Sequence, residues 1–323
     1  MAIAFGDGHG PETIGAPRAS ALPTVSVIVA AYNAQDTIGD CLESLLALDY
    51  SPERWELLVV DNASRDATPS ILAQYRDRLT ILREAVRGPA AARNTGIRQA
   101  TGEMVAFTDA DCVVDPHWLR HLVAPLGDPA VAVAGGQILA RRPCTRIAEF
   151  GERIHDHRRA IEDVAPPYAI TMNWASPRSV LQALGLFDPR LLRCSDLEFA
   201  FRVVQAGYRM VYEPRAVIYH RNRSTPQALA WEGYRHGYHA VAVVALHRQF
   251  MASYAKRDCP PGLVGRALAP ARSMVQIAKT RRELPLALLF NVAKLTGRAA
   301  GQLAAAVRGP LGAQPQVPSA RRP

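Results

Sequence analysis

Met104-Val105-Ala106-Phe107-Thr108-Asp109-Ala110-Asp111 is a short apolar run that stops at two carboxylates one residue apart. Val25 to Ala30 and Trp55 to Val60 repeat its pattern, apolar and β-branched with almost no polar alternation, as expected for strands buried on both faces of a parallel sheet. The second of these also ends on an aspartate, Asp61. Helical signals lie between the runs. Asp36 is placed to cap a helix whose Ile38, Leu42, Leu45 and Leu46 share one face, and Thr68-Pro69 predicts a second helix from Pro69 to Arg78. Leu79 to Leu82 reads as a strand, Gly88-Pro89 opens a helix reaching Ala100, Asp115-Pro116 starts another, and Val131 to Ala134 is a further strand.

Strand and helix thus alternate from residue 25 to about residue 135, the pattern of a doubly wound, mostly parallel α/β sheet flanked by helices. Ligands of such sheets bind beyond the carboxyl ends of the strands, where Asp61 and Asp109 face one cleft from two different strands. After Gly136 the alternation fades, and the stretch Arg141 to Arg159, crowded with arginine and histidine, shows no clear period. Order returns with a short strand and helix in Ala175 to Phe187, a helix from Asp196 to Ala206 ended by Gly207, a strand from Met210 to Tyr219, and mainly helix from Ser224 to Val307.

The 323 residues, 49% of them hydrophobic, suffice for a sizeable core and exclude a disordered or fibrous chain. Five scattered cysteines, Cys41, Cys112, Cys144, Cys194 and Cys259, have no spacing that suits a zinc module or a disulfide framework, so a reducing cytoplasm is expected. Met1 to Pro23 lacks the basic start and apolar run of a signal peptide, and no segment reaches the roughly 18 apolar residues that a membrane span requires. Charge is unevenly placed: residues 1–230 hold 24 Lys and Arg against 26 Asp and Glu, whereas residues 231–323 hold 14 against 3. The expected organisation is a flexible tail over 1–23, a catalytic α/β domain over 24–230, a basic helical extension over 231–308 and a disordered tail over 309–323. Such asymmetry suggests an anionic partner, with a solvated basic helix face as the alternative.

Paired carboxylates at a strand end supply the oxygen ligands that Mg²⁺ or Mn²⁺ requires, and a metal there offsets charge gathering on a diphosphate leaving group. An exposed acidic turn is the alternative for Asp109 and Asp111. Asp61, in Val60-Asp61-Asn62-Ala63-Ser64-Arg65-Asp66, is placed either to accept hydrogen bonds from a nucleobase or ribose or to cap a turn.

Four segments in order, Val25 to Asn33, Val59 to Ser64, Ala91-Ala92-Arg93-Asn94-Thr95-Gly96 and Thr108-Asp109-Ala110-Asp111, closely resemble the family-2 glycosyltransferases of GT-A fold. The resemblance continues through Leu184 to Asp188, Ser195-Asp196-Leu197-Glu198 and Tyr219-His220, and covers residues 24 to 225. That family is mostly inverting, and takes a sugar from a nucleotide diphosphate donor with a divalent metal as cofactor. The resemblance implies that Ala30, Tyr32 and Asp61 flank the base, that Arg93 lies by the diphosphate, that Asp109 contacts ribose or metal, and that Asp111 ligates the metal. It implies that Asp196 is the general base on the acceptor hydroxyl, with His220 either a further metal or diphosphate contact or a packed strand-end histidine. Where the family commonly has Glu-Asp at the base, this chain has Ser195-Asp196, with Glu198 two residues on.

Two other classes compete. Sugar nucleotidyltransferases share a related sheet but begin with a glycine-rich phosphate loop, and Ala30-Ala31-Tyr32-Asn33 has no glycine. An inactive nucleotide-binding scaffold protein would not need both Asp111 and Asp196. For the basic extension, nucleic acid ranks below an anionic membrane surface, because no zinc module, helix-turn-helix or RNA-recognition motif accompanies it. The expected setting is the cytoplasm, peripheral to the inner face of the cell membrane, with a lipid-linked acceptor in cell-envelope glycan or glycolipid synthesis.

Overall fold

The computed structural model describes residues 22–142, 144–258, 280–309 and 311. Most of both expected tails and part of the helical extension, including Cys259, lie outside these residues. Eight strands form one sheet: β1 (Val25–Ala31), β2 (Trp55–Asp61), β3 (Thr80–Arg83), β4 (Met104–Asp109), β5 (Cys112–Val114), β6 (Val131–Ala140), β7 (Asn173–Pro177) and β8 (Arg209–His220), in the order β3-β2-β1-β4-β7-β6-β8-β5. The first four in that order are parallel; β7 runs antiparallel to both β4 and β6, β6 and β8 are parallel, and β5 closes the far edge antiparallel to β8.

Both faces of β1, β2 and β4 are covered, which is why these strands are mostly apolar. Val25, Val27 and Val29 point into one core with Ile38, Leu42 and Leu45 of α1 (Ile38–Leu46) and Trp118, Leu119 and Leu122 of α4 (Trp118–Val123). The alternate residues Ile28, Leu58, Val60 and Phe107 point into a second core. There they meet Ala90, Ala92 and Ile97 of α3 (Pro89–Gln99) and Phe199 and Val203 of α8 (Ser195–Gln205). Pleating thus places the strand-end aspartates at one rim of the sheet, between the two layers.

Some local expectations shift. Thr37, not Asp36, stands at the N-cap of α1, and the helix after Thr68-Pro69, α2 (Thr68–Ala73), stops five residues before Arg78. The arginine- and histidine-rich stretch forms two helices, α5 (Arg146–Ile154) and α6 (His157–Glu162), and α7 (Arg178–Ala183) follows β7. Thr145 and Asp156 cap α5 and α6 through their side-chain oxygens.

The C-terminal part consists of α9 (Pro226–Leu246), α10 (Arg248–Asp258) and α11 (Leu284–Arg308). α9 and α11 pack backbone to backbone: a Cβ on Gly237 would lie 1.9 Å from the Lys294 carbonyl oxygen, and one on Gly297 2.0 Å from that of Tyr234. The pair joins the body through Leu229, Ala287 and Phe290 against Phe150 of α5, and through Ala242 and Val243 against Leu191 and Phe201.

Candidate active site

Register brings the strand-end residues level. Across β1, Ala31 stands opposite Asp61 of β2 and Ala30 opposite Asp109 of β4. Asp61 is buried, and its Oδ1 accepts the N–H of Ser64 at 3.1 Å, so the carboxylate is held by the turn that follows it. Beside it, Asn62 fastens the loop before α3, its Oδ1 accepting from Gly88 N at 2.7 Å and its Nδ2 donating to the carbonyls of Glu84 and Val86. Tyr32 is 41% exposed, and the Arg87 guanidinium, which donates to the Tyr32 hydroxyl, lies 4.6 Å from the centre of its ring. Arg87 carries no signal in the sequence, because only the fold brings it over Tyr32.

Arg93 is held in α3 with its guanidinium buried, 2.7 Å from Oδ1 of Asp109. Asp109 is therefore neutralised locally, while Asp111, two residues on, faces another partner. Its Oδ2 lies 3.5 Å from Nε2 of His220 at the end of β8, which β5 pairs directly beside Cys112. Burial opposes ionisation of Asp111, but His220 and Arg223 outweigh it and hold the carboxyl below its ordinary value. Burial likewise disfavours the His220 cation, yet Asp111 and a hydrogen bond with Asn222 lift His220 above its ordinary value.

Asn222 fixes how His220 presents itself. Its Nδ2 donates to the Ala148 carbonyl at 2.9 Å, so its Oδ1 is the acceptor for Nδ1–H of His220 at 2.6 Å and for Nδ1–H of His155 at 3.2 Å. A neutral His220 then carries its lone pair on Nε2, on the side of Asp111. Nε2 of His155 in turn lies 3.5 Å from Oε1 of Glu232 on α9, so a polar chain runs from the C-terminal helices to Asp111. Asn222 reaches α5 because residue 151 is glycine: a Cβ there would lie 2.4 Å from Cγ of Asn222.

Carboxylate, imidazole and thiol of Asp111, His220 and Cys112 offer ligand atoms within 4.8 Å of one another. This donor set fits a divalent cation, held by Asp111 and by Nε2 of His220. Cys112 is buried and its thiol is raised well above its ordinary value, mainly by burial, so it presents a neutral sulfur. Asp109, expected to contact ribose or metal, is paired with Arg93 through Oδ1.

Asp196 lies in the first turn of α8, half-buried, with Oδ1 accepting the N–H of Leu197 at 2.9 Å. Burial lifts its carboxyl above the ordinary value; Arg93 and the N–H groups of Leu197 and Thr171 pull the other way without cancelling it. Glu198, two residues on, is committed elsewhere: its oxygens accept from Arg202 at 2.9 and 2.7 Å, and Nε2 of His247 lies 3.1 Å away. Arg202 also donates to the Leu184 and Leu186 carbonyls, so Glu198 braces the loop before α8, while Asp196 is the carboxylate of this motif within electrostatic reach of Arg93 and Asp109.

Residues 26–185 match the family described as "Glycosyl transferase family 2". Among curated relatives, "Glycosyltransferase AglE" of Haloferax volcanii is 33% identical over 60% of this chain and 65% of its own length, so the chain spans about two thirds of that protein. "Succinoglycan biosynthesis protein ExoO" of Rhizobium meliloti is 28% identical over 93% of this chain and 98% of its own. The mannosyltransferase PcManGT from Pyrobaculum calidifontis, solved with GDP-Man and Mn²⁺, superposes with a TM-score of 0.60 at 24% identity over 87% of this chain and 88% of that one. Residues 1–349 of S. aureus TarS, solved with UDP-GlcNAc, give 0.52 at 16% identity over 88% and 92%.

Proposed function

Residues 26–185 belong to the family-2 glycosyltransferases of GT-A fold, and from this premise we propose that the chain moves a sugar from a nucleoside diphosphate sugar to an acceptor hydroxyl in one inverting displacement. The observation that carries this reading is the division of labour among the carboxylates. Asp111 faces an imidazole whose tautomer is fixed, and Asp196 has a raised affinity for protons. Proton removal from the acceptor needs such a base, because a carboxyl lifted toward neutrality is a stronger acceptor of the hydroxyl proton. Ala30, Tyr32 and Asp61 form the side of the cleft that receives the nucleoside, and Arg93 with Asp109 the floor beneath the diphosphate.

Asp111 and His220 would hold a divalent ion, which when bound would offset the charge gathering on the departing nucleoside diphosphate. An imidazole in the ligand set favours Mn²⁺ over Mg²⁺, whose coordination prefers oxygen. GDP-Man with Mn²⁺ in PcManGT accords with that choice, and the name of ExoO, a succinoglycan biosynthesis protein, accords with a role in glycan synthesis, which this reading places at the cell envelope. The acceptor is lipid-linked in this reading, and the helical extension rests on the inner face of the membrane. No described helix is long and apolar enough to cross a membrane.

Screening GDP- and UDP-sugars for hydrolysis with Mn²⁺ and with Mg²⁺ tests the reading. At least one donor should be hydrolysed in a metal-dependent way, with Mn²⁺ the better ion. Failure of every nucleotide sugar and free nucleoside diphosphate to bind would refute it.

A further inference from the structure

Three arginines gather where the loop entering α8, the link after β8 and α9 come together, with Glu232 of α9, among the described residues, the one carboxylate that acts on all of them and Asp196 acting on Arg193. Arg193 lies in the loop that enters α8, one residue before Cys194, whose left-handed backbone (φ 60°) starts the helix. Cys194 and Leu197 pack against Ala242 and Val243 of α9, fixing that helix over the start of α8. On α9, Glu232, Arg235, His239, Ala242 and Val243 recur at helical spacing on the face away from Gly233 and Gly237, which meet α11. Arg235 therefore looks toward Arg193. Arg223, in the link from β8 to α9, is exposed and closes the third side, acting on Asp111 as Arg193 acts on Asp196.

The positive charge is only partly offset, because Glu232 is one carboxylate against three guanidinium groups. Nε of Arg193 is buried with no hydrogen-bond partner, and among the described residues none of the three arginines is ion-paired. Glu232, the acid nearest them, faces His155. Burial lowers Arg193, with Arg223 adding repulsion, and burial followed by Arg193 and Arg223 brings Arg235 down to about 10. Half-buried Arg193 and Arg235 are costly to keep charged beside a further guanidinium, and an anion arriving from solvent on the exposed Arg223 side would relieve that cost.

We propose that Arg193, Arg223 and Arg235 form a binding site for a phosphate or diphosphate group carried by the acceptor, which holds the acceptor with its hydroxyl at Asp196. The proposal rests on the glycosyltransferase reading above and adds the chemical class of the acceptor. Guanidinium forks match phosphate oxygens in pairs, and three of them suit a tetrahedral anion better than a planar carboxylate. The donor diphosphate has its own partners in Asp111, His220 and Arg93, on the sheet side of the cleft. Arg193 and Arg235 are on the side of α8 and α9, where the acceptor approaches the base.

The test uses the full chain with Mn²⁺ and saturating GDP or UDP, so that the donor site is filled, and methyl phosphate as the probe. Methyl phosphate should bind the wild type by calorimetry and raise its Tm, because a ligand that binds only the folded state stabilises it. Arg193→Gln and Arg235→Gln should each weaken methyl phosphate binding about tenfold or more and abolish its Tm shift, since each loses a charge-assisted contact. Both should keep the affinity for Mn²⁺ and nucleotide, and Arg235→Lys should recover part of the phosphate binding. In a second arm, a prenyl phosphate-linked acceptor should show a raised KM in Arg235→Gln while the same glycan without phosphate does not. Equal methyl phosphate affinity in wild type and both variants would overturn the proposal, as would competition between methyl phosphate and the nucleotide. Loss of nucleotide binding by the wild type would count against the glycosyltransferase reading instead, and is measured separately.

Discussion

Oδ1 of Asn222 accepts Nδ1–H of His220 at 2.6 Å, and this hydrogen bond selects which imidazole nitrogen faces Asp111. Asn222 lies two residues past the strand end, stacked against Gly151 of α5 and shared with His155. Partners that orient a metal-binding histidine typically set affinity by about 10- to 100-fold. Asn222→Ala should therefore weaken Mn²⁺ binding by that order, as read by calorimetry in the presence of nucleoside diphosphate, with the fold retained by circular dichroism. Gly151→Ala should act in the same direction without touching a polar group, because its methyl would displace Asn222. Unchanged Mn²⁺ affinity in both variants would show that His220 needs no such orientation.

Asp111→Asn removes the carboxylate of the pair while leaving shape intact. Metal-dependent nucleotide-sugar binding should be lost, whereas residual metal-free binding through Tyr32 and Asp61 remains. Full donor binding by this variant in the presence of chelator would exclude Asp111 as the metal ligand.

Asp196→Asn carries two opposite expectations. Transfer should fall by about 10² to 10⁴, the usual cost of removing a positioned base, with donor affinity kept. Stability should move the other way. The folded carboxyl has a raised pKa, so its contribution to stability is full in acid, below the unfolded value of 3.8, and is lost as pH rises through the folded value. At neutral pH the wild type thus bears a buried charge that the amide does not, and Asp196→Asn should melt higher at pH 7 than the wild type, with the difference fading at pH 3. Near-normal transfer by the variant would place the base elsewhere, and Glu198, clamped by Arg202 and His247, could not supply it without breaking that brace.

The contact of α9 with the body is sensitive to acid. Glu232 is held at about 2, burial notwithstanding, chiefly by His155, while burial keeps His236 at about 3 and His239 at about 4. All three values lie below the unfolded ones of 4.5 and 6.5, so their stabilisation is present above those values and disappears as pH falls through the folded ones. Hydrogen exchange should show α9 and α11 losing protection progressively from about pH 6 to about pH 3, ahead of β1 and β4. Simultaneous loss across the chain would mean that the extension is not separately sensitive to acid.

The parallel half of the sheet was legible because strands covered on both faces are mostly apolar, and β2 and β4 each stopped visibly at an aspartate, Asp61 and Asp109. β5 was not, since three residues carry no period. α5 was missed although Ile147, Phe150 and Ile154 are helically spaced, because their partners are Leu229, Ala287 and Phe290, more than 70 residues later in the chain. The same holds for the site. Asp111 and Asp196 lie in motifs that local sequence displays, whereas His155, Asn222, Glu232 and the three arginines meet only through the packing of α5 and α9.

The exposed side of α11 supplies the remaining test. Leu284, Leu288, Val292, Leu295, Leu303 and Val307 are all at least 45% exposed and recur at helical spacing, forming one apolar stripe. Gly297 and Gly301 on another face of the helix meet Tyr234 and Tyr238 of α9, so the stripe is not what holds α11 to the body. Basic Arg282 and Arg298 are also exposed. An amphipathic helix of this kind binds at the headgroup boundary by apolar burial plus attraction to anionic lipid, the latter about 1 kcal/mol per basic residue near the surface. The full chain should therefore float with vesicles containing anionic lipid, and less so at high salt, because screening removes the electrostatic share and leaves the apolar one. Leu288→Glu with Leu295→Glu should abolish flotation without altering the fold, since both side chains point to solvent, and should leave nucleotide binding intact because the donor side of the cleft lies on the sheet. A full chain that stays unbound at low salt would make the stripe a surface for another partner, with the glycosyltransferase reading, which rests on residues 24–225, unaffected.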